Sequence, residues 1–425
     1  MLELAAAFIC LTTLMTYVSY RFTNLPPAIG VMATALIFSL VLHGVTLAGY
    51  PVLEDQVGDL IRQMSFQSLL MDWMLSFLLF AGALHVKLGD LHSYKWPIGL
   101  LATVGVLLST LMIAGMAYWM LGLFGWSVSF LYCLLFGALI SPTDPIAVLG
   151  ILRSAGAPKP LETTIVGESL FNDGTAVVLF TVLLTIALQG QAPTTLGIVE
   201  LFATEALGGI VLGLLLGFGV YLMMRSIDQY QVEVMLSLAL VIGGSALAAG
   251  AHVSAPIAMV VAGLIIGNQG RSHGMSDQTR LYVDKFWELI DEMLNAFLFA
   301  LMGLEILLLP FSWLNVAAGA VMALLVLGSR IVTIAPAILF LRRSVAGREA
   351  IPKGAIRILS WGGLRGGISV ALALSLPAGA ERDLLLSITY VIVLGSILIQ
   401  GLTIGPLVKR IYGDTVTSDA APTHE

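Results

Sequence analysis

Runs of about twenty apolar residues recur along almost the whole chain, separated by short polar or Pro/Gly-containing breaks, and about twenty is the length a helix needs to cross roughly 30 Å of hydrocarbon. Lipid offers no hydrogen bonds, so each such run must satisfy its own backbone, and a chain of this kind folds as a bundle of helices. Cutting at the breaks gives thirteen candidate spans: roughly 2–20, 26–50, 66–86, 96–121, 128–152, 161–189, 196–224, 231–250, 252–269, 285–309, 313–341, 353–377 and 384–408. The pair 231–250 and 252–269, joined near Gly250, admits a second reading as one re-entrant unit. Charged residues make up 11% of the 425 positions, where a soluble domain carries about 25%, so the length builds one membrane domain and not two or three soluble ones.

Charge fixes the expected orientation. With the N-terminus outside, fifteen of the 20 Lys and Arg residues fall in inward-facing loops, while only Arg62 and Arg382 face outward. The other three, Arg330, Arg357 and Arg365, lie within spans. This asymmetry is the positive-inside pattern of a plasma-membrane protein with a cytoplasmic C-terminus, and residues 411–425 read as a short cytoplasmic tail. The first run has no basic leader, carries Glu3 ahead of it, and is followed by another run from Pro26, so it reads as a span and not as a cleaved signal. A net charge of -6, spread thinly, gives nucleic acid nothing to bind. Cys10 and Cys133 sit in apolar runs and read as buried hydrophobes, not as a disulfide.

Against this background, polar groups inside spans stand out, because each charge near a bilayer centre costs about 2.5–3.5 kcal/mol or more. One set is Ser141-Pro142-Thr143-Asp144-Pro145. Two prolines so close interrupt a helix, freeing carbonyls beside Thr143 and Asp144 for a small hard cation. The plainer reading is a kink with Asp144 as a helix N-cap, which is compatible with the first. A second set is Gly167-Glu168-Ser169-Leu170-Phe171-Asn172-Asp173. Four-residue spacing puts Ser169 with Asp173 and Glu168 with Asn172 on two adjacent stripes. The acids could simply favour a helix start, but Leu161 to Val166 precede them and make the motif internal. The third set is Trp361-Gly362-Gly363-Leu364-Arg365-Gly366-Gly367-Ile368-Ser369, where a lone arginine needs an anion and Glu168 is the expected partner. If the seventh span is a linker, spans 1–6 and 8–13 form two inverted halves in which interrupted span five matches interrupted span twelve, the plan of a secondary transporter with a midplane site. Arg330 is a candidate for a further structural ion pair; Arg357, Glu305, His85 and His252 read as interfacial.

At these motifs, and at Phe299 to Glu305, the chain resembles the monovalent cation:proton antiporter-1 family, which includes the NhaP-type and eukaryotic sodium/proton exchangers, over roughly residues 10–410. The resemblance implies a homodimer with the sodium/proton antiporter fold: a dimerisation part at about 1–95 and 231–310, a core at about 96–190 and 313–408, and a linker helix at about 196–224. It implies Na+ (or Li+) exchanged for H+, no cofactor, and no enzymatic activity. Asp173 would be the shared cation and proton carboxylate, helped by Ser169, Thr143 and Asp144, with Asn172 beside it and Na+ held at Asp173, Ser169 and Thr143. Asn172 before Asp173, in place of a second acid, marks the electroneutral members. One departure is Phe80-Ala81-Gly82-Ala83-Leu84, where many relatives carry an acid. A carboxylate kept from water holds its proton more tightly than one in solution, so one acid can serve proton and cation in turn. The same residues would suit K+/H+ exchange, and two membrane aspartates also suggest an intramembrane aspartyl protease, although neither has that class's Gly-x-Gly-Asp context.

Overall fold

A computed structural model describes residues 2–49, 57–58, 74–189, 195–308, 312–343 and 351–418. The described residues form helices and no strand, apart from one isolated backbone bridge between Asp144 and Leu364. In chain order the helices are α1 (Leu2–Phe22), α2 (Pro27–Leu47), α3 (Leu75–Leu84), α4 (Lys95–Leu123), α5 (Phe130–Ile140), α6 (Ile146–Ser154), α7 (Lys159–Gln189) and α8 (Thr195–Arg225). There follow α9 (Tyr230–Gly250), α10 (Ala255–Ile265), α11 (Asp277–Glu305), α12 (Trp313–Leu341), α13 (Ala355–Trp361), α14 (Gly367–Leu374), α15 (Ala380–Gly395) and α16 (Gly401–Ser418).

Each expected span coincides with a helix or with two half-helices, the third only over its described part from residue 74 onward. The pair near Gly250 resolves into separate helices, α9 and α10, which pack on each other. Eight described helices are long and apolar enough to cross a membrane by length and composition alone. The others miss that test for physical reasons. Two spans are broken at mid-length, α5/α6 and α13/α14, α11 has a charged first half, α10 gives way at Ile266 to a polar π turn, and α3 is described only from residue 74 onward.

Small residues let the helices close on one another, as lipid-embedded bundles require. A Cβ on Gly137 of α5 would lie 2.3 Å from the Thr110 carbonyl oxygen of α4, and one on Gly267, just past α10, would lie 2.2 Å from the Leu84 oxygen of α3. The outward faces are apolar instead of polar: Ile37, Leu40 and Val41 on α2 and Leu214, Leu215 and Phe218 on α8 are all exposed. Water would not tolerate such a surface over so many helices, whereas lipid does. Cys10 and Cys133 are free thiols; Cys133 is buried as expected, whereas Cys10 is exposed on α1, which corrects the expectation for that residue.

Candidate ion site at the crossing of two broken helices

The chain breaks α5 from α6 at residues 141–145 and α13 from α14 at 362–366, and the two breaks meet. The Asp144 amide donates to the Leu364 carbonyl at 2.8 Å. Each break supplies the charge that the other lacks. The last carbonyls of α5 have no partner within their own helix and carry its negative end. Arg365 meets them: its Nη1 donates to the Ser141 oxygen at 2.5 Å and the Pro142 oxygen at 2.8 Å. Conversely, Asp144 lies against the start of α14, so that a Cβ on Gly366 would fall 2.2 Å from Asp144 Oδ2. The Arg365 amide is held in turn by Ser396 Oγ at 3.0 Å, from a π turn at Ser396–Gln400.

Alongside the crossing runs α7. Thr143 Oγ1 is 3.1 Å from Ser169 Oγ and accepts from Asn172 Nδ2 at 3.0 Å, while the Thr143 amide donates to Asn172 Oδ1 at 3.5 Å. Asn172 thus clasps Thr143 from both sides and pins the break to α7. Asp173, one position on, is 6% exposed and lines a cavity of about 810 Å³ together with Thr143, Asp144 and Ser369. The cavity opens at the end of the bundle where Lys87, Arg153, Lys159 and Lys285 lie. All five expected cation-site residues are therefore brought together. Thr143, Asp144 and Asp173 face the cavity, and Ser169 and Asn172 stand behind Thr143.

The expected Glu168–Arg365 pair is corrected. Glu168 Oε1 accepts from Arg330 Nη1 of α12 at 2.5 Å, with both side chains buried. Arg330 also reaches the Leu359 carbonyl at 3.4 Å and lies on Gly363, where a Cβ would sit 2.5 Å from its Nε. Arg365 has the carbonyls of the α5 break instead. The cavity also takes in Ser369, the last residue of the third set, and acids of α11 that carried no sequence assignment, Asp291 among them. Ala81 packs into an apolar cluster with Phe80 and Trp287, and from that stretch Gly82 lines the cavity.

A polytopic helical bundle with two crossed, interrupted helices and a buried acid at the crossing is a secondary ion transporter by its architecture. The profile of the family "Sodium/hydrogen exchanger, transmembrane" matches residues 7–410. The chain is 69% identical over 412 residues to the Na(+)/H(+) antiporter NhaP of Pseudomonas aeruginosa, covering 97% of each, and 38% identical to the Na(+)/H(+) antiporter NhaH of Halobacillus dabanensis, covering 88% of this chain and 91% of that one. Its fold matches the sodium proton antiporter MjNhaP1 of Methanocaldococcus jannaschii with a TM-score of 0.72 at 21% identity, over 96% of this chain and 97% of that one. The chain belongs to the transmembrane sodium/hydrogen exchanger family and is a multi-pass membrane protein.

Proposed function

We propose that this protein exchanges Na+ for H+ across the plasma membrane by alternating access, with cation and proton competing for Asp173. The observation that carries this reading is the position of Asp173: buried, on the wall of a cavity open at one end, beside the Thr143 and Asp144 break. When ionised, Asp173 offers a hard carboxylate with the Thr143 and Ser169 hydroxyls near it, a ligand set suited to Na+. When protonated it repels nothing and attracts nothing, so the two cargoes exclude one another. Either one neutralises the acid, and the neutral carrier crosses at low cost, whereas the bare carboxylate does not; uncoupled leak is thereby suppressed. Asn172 cannot take up a second proton, which supports one-for-one, electroneutral exchange. The relatives support sodium over the K+/H+ alternative, since their names specify Na(+), and an exchanger family leaves the protease reading without support. The positive-inside pattern supports a cytoplasmic opening for the cavity, and the family resemblance supports a homodimer.

Purified protein in liposomes with a trapped pH-sensitive dye tests this. Addition of NaCl or LiCl is expected to move protons, while KCl and RbCl do little, and valinomycin with equal K+ on both sides, which clamps the membrane potential without carrying protons, should not alter the initial Na+-driven rate if exchange is electroneutral. Proton movement driven by K+ as strongly as by Na+ would transfer the assignment to the potassium alternative.

The crossing itself makes a second prediction. A methyl on Gly366 cannot coexist with Asp144 Oδ2 at 2.2 Å and Asp144 Cβ at 2.6 Å. Gly366→Ala must push Asp144 out of the break and is expected to remove most of the Na+-driven flux. Gly243→Ala, at a helix position with nothing within 4 Å, is the matched control and should keep it.

A further inference from the structure

The cavity that reaches Asp173 has an acidic wall on α11, formed by Asp284, Glu288, Asp291 and Glu292. Asp284, Glu288 and Asp291 follow at spacings of four and three, which is one face of a helix. The two nearer the opening already hold cations: Arg271 pairs with Asp284, and Lys285 with Glu288 at 2.6 Å. Asp291 forms no ion pair among the described residues. To the same cavity α3 contributes Leu75, Leu78, Leu79 and Gly82, an apolar wall without a counter-charge.

Deeper on the same face, Leu298 packs on the base of α14, where a Cβ on Gly367 would lie 2.3 Å from Leu298 Cδ1. Seven residues at 1.5 Å each put Asp291 about 10 Å short of that level, on the route from the opening to the crossing. Between them is Asn295, one turn from Asp291. It is 6% exposed, its amide lies against the Asp291 carboxylate, and its Oδ1 has no hydrogen-bond partner. A buried amide oxygen without a donor is costly unless something else satisfies it. Beside a carboxylate that no lysine or arginine pairs among the described residues, a small cation can satisfy it: the Asp291 carboxylate and the Asn295 amide oxygen are both hard oxygen ligands.

We propose that Asp291 and Asn295 form a second station for a small monovalent cation, occupied on the way to or from Asp173. It rests on the reading of Asp173 as the exchange site. A unit negative charge about 10 Å from a bound cation, at an effective dielectric constant of about 20, favours that cation by about tenfold.

The test measures Na+-driven proton movement in membrane vesicles of both orientations, at a pH where proton competition is small. Asp291→Asn is expected to raise the apparent KM for Na+ about tenfold from the cavity face while the maximal rate is kept, the mark of lost binding and not of lost chemistry. The opposite face should keep its KM. Proton affinity at the cavity face falls in step, as the unchanged overall equilibrium requires. Asp291→Glu should restore the wild-type KM, and Asn295→Leu should raise it without removing a charge. If the Asp291→Asn effect vanishes in high choline chloride, the acid is only a diffuse surface charge and the station is overturned; an unchanged KM in both variants overturns it equally. Wild-type vesicles without Na+-driven proton movement would overturn the exchange reading as well, so the two failures are distinguishable.

Discussion

Asp173→Asn is expected to abolish Na+-driven proton movement in liposomes while leaving a protein that folds, inserts and elutes as the wild type does. The amide has nearly the shape of the carboxylate, so packing around α7 is preserved. What it lacks is charge. Two opposite charges about 4 Å apart at an effective dielectric constant of about 20 attract by about 4 kcal/mol, so Na+ affinity should fall on the order of a thousandfold. An amide also has no proton to exchange at any accessible pH, so both halves of the cycle fail together. Stability should not fall, because the substitution removes a group that burial penalises in its charged form. Thermal unfolding in detergent checks this: a melting temperature equal to or above that of the wild type is expected. Sodium-driven flux at the wild-type rate would end the assignment of Asp173, whatever the family.

Much of this site was legible in the chain because of cost. Prolines at 142 and 145 and glycines at 362, 363, 366 and 367 cannot continue an apolar helix without loss, so both breaks show in the sequence, as do Asp144 and Asp173 inside otherwise apolar runs. Span positions were legible for the same reason, since lipid imposes a length. Pairing was not. Glu168 had two intramembrane arginines within its chemistry, and nothing local says which one is adjacent. The answer depends on α12 packing against α13 and on Arg365 being needed by the Ser141 and Pro142 carbonyls. Asp291 was hidden differently. In a helix whose first half also carries Asp277, Asp284, Glu288 and Glu292, it reads as part of an ordinary solvated end. What separates it from Asp284 and Glu288 is that those two hold Arg271 and Lys285, whereas Asp291 has the buried Asn295 beside it.

The Glu168–Arg330 pair carries the other large effect. Breaking one partner of a buried ion pair leaves an uncompensated charge and typically costs about 3–5 kcal/mol. Glu168→Gln and Arg330→Met are each expected to lower the melting temperature in detergent by several degrees and to reduce the yield of inserted protein. The double substitution should recover most of that loss, because no charge then remains stranded. Arg330→Lys should not rescue: an ammonium cannot span the Glu168 carboxylate and the Leu359 carbonyl while lying flat on Gly363, as the planar guanidinium does. The same cycle separates the two arginines. Glu168→Gln with Arg330→Met should show strong coupling, and Glu168→Gln with Arg365→Met weak coupling, since residues that act through different partners add nearly independently. Arg365→Met alone strands the carbonyl end of α5 and loosens the crossing, so its loss should appear in transport as well as in stability. Stronger coupling of Glu168 to Arg365 than to Arg330 would reverse the pairing and with it the account of how α12 braces the broken helices.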